Sequence, residues 1–170
     1  MVSKTFYEQD ILPLLNYEHC DFGENKVQEA LQKWTELKKK YEKVKLHMLG
    51  KLQTNKVKYA VEIFDYIHSL DNLKLANKLS DEIQKKDKKI KIFIQINLGG
   101  EKQKSGIEPF ELELFYKNCC LLKLNIIGTM CIPPDNQDSR PYFKNLLELN
   151  QRVGLNEISM GMTNDYLQAL

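Results

Sequence analysis

No stretch of this sequence approaches the roughly 18 consecutive apolar residues that a membrane-spanning helix needs. The opening Met-Val-Ser-Lys-Thr-Phe-Tyr-Glu also lacks the apolar core of a secretory signal. Cysteine is scarce and irregular: Cys20, Cys119, Cys120 and Cys131 form neither a disulfide framework nor a zinc-binding spacing. These absences lead to the expectation of a reduced, cytoplasmic protein without a structural metal. Charge of one sign is lacking as well. Lysine and arginine total 25 against 23 acidic residues, a net charge of +2, so the electrostatic excess of a nucleic-acid binder is missing. Arginine is nearly absent, with Arg140 and Arg152 alone. The runs Lys38-Lys39-Lys40 and Lys85-Lys86-Asp87-Lys88-Lys89 fall where helices should end, and there they suit the helix dipole and solvate the surface. No Gly/Ser-rich linker or low-complexity tract divides the chain.

What is present is alternation. With 170 residues, 42% of them hydrophobic, the chain is long enough to bury about two-thirds of its unfolded surface in a single domain spanning 1–170. Short, often β-branched apolar runs alternate with segments of helical period. Strands are expected over residues 2–5, 20–24, 44–49, 64–70, 90–98, 124–132 and 157–160. Helices are expected between them over 8–15, 25–41, 57–63, 72–86, 108–122 and 140–153, with a final helical stub over 164–170. In the second helix Val27, Leu31, Trp34 and Leu37 form one apolar stripe. In the fifth strand Ile90, Ile92, Ile94 and Ile96 share one face, and Phe93, Gln95 and Asn97 share the other. Consecutive β/α units demand a parallel sheet covered by helices. No glycine-rich phosphate fingerprint follows the first strand, so about seven β/α units fit an incomplete (β/α)8 barrel of the TIM type better than a doubly wound sheet.

Chemistry in such a barrel gathers at the C-terminal ends of the strands. Those ends offer Lys4, Asn25, His47 with Gly50, His68 with Ser69, Asn97, Thr129 with Cys131, and the run Ser159-Met160-Gly161-Met162-Thr163. Carboxylate pairs and metal-ligand spacings are missing from this set. Lys4 stands out. Buried in a strand, its amine would be held neutral and able to attack a carbonyl; at a frayed terminus it would simply be solvated. Ser159-Met160-Gly161-Met162-Thr163 joins the last strand to the last helix. It suits either an anion held by backbone N–H groups and hydroxyls, or an ordinary cap in which Thr163 or Asn164 starts the helix. His47 and His68 read on general grounds as core histidines with satisfied hydrogen bonds. Thr54 or Asn55 offers a cap for the helix that follows, and Cys119-Cys120 reads as buried packing.

Taken together the segments resemble the pyridoxal phosphate homeostasis proteins, the YggS/PROSC family. The matching stretches are Val2-Ser3-Lys4-Thr5, Asp21-Phe22-Gly23-Glu24-Asn25-Lys26-Val27-Gln28-Glu29 and His47-Met48-Leu49-Gly50-Lys51-Leu52-Gln53-Thr54-Asn55-Lys56. They continue with Ile67-His68-Ser69-Leu70-Asp71, Gln95-Ile96-Asn97-Leu98, Lys104-Ser105-Gly106 and Ser159-Met160-Gly161-Met162-Thr163. The resemblance runs from end to end. It implies a barrel like the N-terminal domain of alanine racemase, with pyridoxal 5'-phosphate (PLP) held as a Schiff base on Lys4. It further implies that Asn25 and His47 line the cofactor pocket, and that Ser159, Met162 and Thr163 belong to the site, with Ser159 and Thr163 in the phosphate cup. Family members of this kind act in intracellular PLP homeostasis as carriers or buffers, without robust turnover. The implied partners are PLP and PLP-dependent apo-enzymes, with a monomeric chain and neither nucleic acid nor membrane involved.

Two departures from the family pattern are visible. The family continues into an eighth strand with an arginine-bearing Gly-Ser/Ala-Thr-x-Val-Arg-x-Gly pattern, and it begins with a helix before the first strand. The chain ends at Leu170, and neither Arg140 nor Arg152 is placed to substitute. The expectation is weakened cofactor binding unless a partner completes the barrel. Two alternatives stay open beside the carrier: a PLP-dependent enzyme of the alanine-racemase type using Lys4, and a remnant or interaction module that no longer binds PLP.

Overall fold

A computed structural model describes residues 3–100, 105–135 and 137–170. Its first helix, α1 (Glu8–Asn16), is amphipathic and buries Ile11 and Leu15. β1 (Asp21–Glu24) leads into α2 (Val27–Lys40), which buries Val27, Ala30, Trp34 and Leu37. Ala30 thus takes the fully buried place expected of Leu31, which is only partly covered. β2 (Lys45–Met48) is followed by a 3-10 turn (Thr54–Lys56) and α3 (Val57–Ile63). Neither Thr54 nor Asn55 caps that helix with its side chain. β3 (Tyr66–Leu70) and α4 (Leu73–Lys85) come next. Here the Asn72 side chain caps the helix by accepting the Leu75 N–H at 2.8 Å. β4 (Lys91–Gln95), α5 (Leu112–Leu121), β5 (Ile126–Met130), α6 (Arg140–Arg152), β6 (Glu157–Ser159) and α7 (Tyr166–Ala169) complete the order.

The six strands form one parallel sheet in sequence order, β1 to β6. Such an order, with a helix on every crossover, coats one face of the sheet only. Ile90, Ile92, Ile94 and Ile96 turn to that helical coat and are nearly or fully buried, as their alternation predicts. Phe22, Leu46 and Ile67 do the same from neighbouring strands. The opposite face carries Asp21, His47, His68, Phe93 and Ser159. On a flat sheet β3 and β6 would stand about 14 Å apart, three strand spacings of roughly 4.8 Å. Yet His68 Nδ1 lies 2.7 Å from Ser159 Oγ. The sheet therefore curls, and its inner face closes on itself as half of a barrel.

The run at residues 2–5 departs from expectation. Met1 and Val2 lie outside the described residues, and residues 3–5 are not a strand. Instead of laddering, the Ser3 and Lys4 N–H groups both donate to the single carbonyl oxygen of Gly23, at 2.9 and 3.1 Å. Thr5 then turns the chain away through a left-handed conformation, φ 73°, which a β-branched residue adopts only under constraint. The described sheet accordingly has six strands, where about seven β/α units are expected from the sequence.

Candidate functional site

Lys4 is fixed through its neighbours. Ser3 is almost fully buried, and its hydroxyl donates to Glu24 Oε1 at 2.8 Å. The same oxygen accepts from Lys33 Nζ at 2.9 Å and from Trp34 Nε1 at 2.9 Å, and Lys33 also donates to the Ser3 carbonyl oxygen. Glu24 is wholly buried; these three donors satisfy its Oε1, while its Oε2 is buried without a hydrogen-bond partner among the described residues. The sequence places Glu24 at the end of β1 and Lys33 and Trp34 two turns into α2, which brings all three behind the turn that carries Lys4. Lys4 itself is half-buried beside β1.

The inner face holds a continuous polar chain. Asp21 Oδ1 lies 3.1 Å from His47 Nε2, His47 Nδ1 lies 2.9 Å from His68 Nε2, and His68 Nδ1 reaches Ser159 Oγ. Aromatic neighbours hold both rings in place: His47 stacks on Tyr66 at 4.1 Å and His68 on Phe93 at 4.3 Å. Burial, and then the neighbouring His47, push the His68 pKa down to about 3, so its ring is neutral at physiological pH. Burial also lowers His47, against the opposing pull of the Asp21 carboxylate. Because an ionised Asp21 only accepts, His47 carries its proton on Nε2 and presents a bare Nδ1. His68 then donates through Nε2 and accepts at Nδ1 from the Ser159 hydroxyl.

Above this chain, at the C-terminal ends of β2, β4 and β5, opens a cavity of roughly 260 Å³ walled by Leu49, Gly50, Gln95, Asn97, Ser105 and Ile132, among others. Gly50 approaches Asn25 so closely that a β-carbon would come within 2.2 Å of the Asn25 carbonyl oxygen, which only glycine tolerates. Asn25 Oδ1, next to that contact, and Ser69 Oγ, near the end of β3, are buried without a hydrogen-bond partner among the described residues. Gln95 donates to the Ser105 carbonyl oxygen at 3.2 Å in the cavity wall. Lys104 of the expected Lys104-Ser105-Gly106 stretch lies outside the described residues. After Ser159 the chain passes Gly161, whose φ of 85° makes the turn that exposes Met162 and Thr163.

Of the expected site residues, the fold joins His47 to Ser159 through His68 and sets Asn25 against Gly50 at the mouth. Lys4 stands along β1, while Met162 and Thr163 share the loop that leaves β6. Several expectations need correction. Thr129 is fully buried and its hydroxyl donates to Asn150 Oδ1 at 2.9 Å, so it faces α6 rather than the interior. Neither Thr163 nor Asn164 caps α7; Asp165 occupies that position, and its carboxylate accepts the Met162 N–H and the Ser139 hydroxyl. Cys119 is buried but Cys120 is exposed, because adjacent helical positions point about 100° apart. Burial pushes the Cys119 and Cys131 thiols up to about 12, so both are inert packing at physiological pH. Arg140 pairs with Asp138 and Arg152 with Glu113 at the surface, away from the mouth. Sequence reasoning missed Asp21 and the linking role of His68. The signal available was the set of polar residues Asp21, Lys45, His47, Tyr66 and His68 at inward positions of β1 to β3, where an apolar core would place few.

Comparison with known proteins follows the same outline. The model of the alanine racemase N-terminal domain matches residues 2–169. A pyridoxal phosphate homeostasis protein of Aquifex aeolicus is 41% identical, over 99% of this chain and 77% of its own length. Its counterpart in Synechocystis is 40% identical, over 99% and 82%. PipY of Synechococcus elongatus, solved with PLP bound, is 33% identical and superposes with a TM-score of 0.88 over 99% of this chain and 82% of that one. An alanine racemase of Clostridium difficile, 14% identical with a TM-score of 0.68, covers 94% of this chain and 44% of its own, and shares the fold.

Proposed function

We propose that this chain, which belongs to the pyridoxal phosphate homeostasis proteins within the alanine racemase N-terminal-domain family, binds PLP through Lys4 and serves as an intracellular carrier or buffer of that cofactor. The observation that carries this reading is the agreement in sequence and shape, over 99% of the chain, with a relative solved with PLP bound. The residues suit the cofactor on physical grounds of their own. Asn25 Oδ1, beside the cavity-lining Gly50, and Ser69 Oγ, near the end of β3, are buried without partners among the described residues, and such atoms are costly unless something polar reaches them. When bound, PLP supplies an aldehyde carbon to which a primary amine adds.

In this reading the turn at Ser3 and Lys4, held by Glu24, offers the amine at a fixed place beside the half-barrel. Asn25 fills its unused acceptor from the cofactor ring. His47 supports the wall of the pocket from below. Ser159 and Thr163 present hydroxyls to the phosphate, and Met162 covers the ring edge with a flexible apolar side chain. The carrier works as a monomer and releases PLP to apo-enzymes.

Titration of the purified chain with PLP, followed by its visible spectrum, tests the reading. The expected result is a saturable band distinct from free PLP in the wild type and its loss in Lys4→Ala. An unchanged spectrum in the folded wild type, or an equal band in Lys4→Ala, would overturn it.

A further inference from the structure

The chain from Asp21 to Ser159 has a direction, and the direction bears on what Ser159 can do. With His47 and His68 both neutral, the Ser159 hydroxyl proton is spent on His68 Nδ1. The serine then turns only lone pairs toward its other side, which repel a phosphate dianion. For Ser159 to donate outward, His68 must carry its proton on Nδ1 and accept at Nε2, so His47 must donate from Nδ1. His47 already donates from Nε2 to Asp21, so donation from both nitrogens makes it a cation.

We propose that Asp21, His47 and His68 form a proton-linked relay that switches Ser159 from proton acceptor-facing to proton donor-facing when a phosphate group binds, with the uptake of one proton. The proposal rests on the assignment of Ser159 to the phosphate site. The protons balance as follows. The Ser159 O–H rotates from His68 to the phosphate, and one solvent proton enters at His68 Nδ1. The proton on His68 Nε2 crosses the 2.9 Å contact to His47 Nδ1. The added charge rests on His47 against the Asp21 carboxylate. Ser159, at the end where the proton enters, is only partly buried, which gives access there, and Asp21 at the far end has a side chain 57% exposed.

Among the described residues, charged and titratable groups face His47 from β1, from β3 and from the loop before β3. Asp21 on β1 and Asp65 before β3 favour its cation; the amino-terminal charge opposes it, and Tyr66 and His68 flank its ring from β3. Lys91 on β4 donates to the Tyr66 hydroxyl rather than to His47. In the free protein burial holds His47 neutral near pH 7; in the bound protein its pKa is raised. Affinity is therefore full below the free-state pKa and falls as pH rises toward the bound-state pKa, by about tenfold per pH unit in that window. Asp21→Asn removes the acceptor-only end. An asparagine side chain carries a donor as well as an acceptor, so it can donate to His47 Nε2 and let the relay face outward without taking up a proton.

The relay is tested by nitrogen NMR of histidine-labelled protein, free and saturated with PLP above pH 7, with proton uptake counted by calorimetry in buffers of different ionisation heat. In the free wild type both histidines should carry their protons on Nε2. With PLP, His68 should move to the Nδ1–H form and His47 to the cation, with uptake of one proton. Asp21→Asn should show a share of the Nδ1–H form of His68 before any ligand is added, and less proton uptake than the wild type. Nδ1–H on His68 in the free wild type, or binding with no tautomer change and no uptake, would overturn the relay. If PLP does not bind at all, the assignment of the phosphate site fails, and the free-protein tautomers of the wild type and Asp21→Asn still decide the relay.

Discussion

The two faces of the sheet are built on opposite terms. The outer face is dry: Phe22, Leu46, Ile67, Ile92 and Ile94 have essentially no exposed surface and pack against helices such as α2, whose Trp34 lies 4.8 Å from Phe22 between ring centres. The inner face is polar and linked by hydrogen bonds from Asp21 to Ser159, with aromatic rings as spacers. Burial of apolar area dominates folding free energy, whereas a hydrogen bond contributes only about 1 kcal/mol net. Stability should therefore reside on the outer face and ligand chemistry on the inner one. Glu24 is the point where the two meet, since it faces the helices but holds the turn of Lys4.

Perturbations of decreasing size can break or sharpen this contrast. Trp34→Ala opens a cavity in the dry layer and removes a donor from Glu24; it should cost about 3–5 kcal/mol, measured by urea unfolding. Glu24→Ala strands Lys33 without its buried partner and should cost about 3 kcal/mol. It should also loosen residues 3–5, seen as faster amide exchange at Ser3 and Lys4. An equal loss of stability with no change at Lys4 would separate the two roles assigned to Glu24.

The pH dependence comes next. His68 titrates near 6.5 when unfolded and at about 3 when folded, so the unfolded state binds the extra proton first. The associated stability is complete above pH 6.5 and falls as pH drops below it, by about 2 kcal/mol at pH 5. Unfolding midpoints across this range should slope accordingly, and His68→Phe should flatten the slope. The smallest effect belongs to the open rim of the inner face. Lys91→Met, which removes the cation 5.2 Å above the Tyr66 ring, should cost no more than about 1 kcal/mol. A cost comparable to that of Trp34→Ala would contradict the division between the faces.

Much of the outer face is legible in the sequence, because period-two and period-3.6 patterns report burial directly. The four isoleucines from Ile90 to Ile96 and the bounds of α3 show this. The parallel, sequential sheet follows from alternation alone. The inner face is less legible. His68 and Ser159 stand 91 positions apart, and no local pattern records that a curled sheet brings them together. Residues 2–5 read as a strand because Val2 and Thr5 are β-branched. What decides residues 3–5 is the tertiary pull of Gly23 and Glu24, which outweighs local propensity. The cap at Asp165 was hidden by two better-placed competitors, Thr163 and Asn164.

The central claim is that one lysine among 23 is prepared to carry PLP. Borohydride reduction of the chain with equimolar PLP, followed by peptide mass spectrometry, tests it most directly. The account predicts a single pyridoxyl adduct on Lys4, lost when Lys4 is replaced by arginine. Adducts scattered over exposed lysines of the folded chain, with Lys4 unmodified, would contradict it.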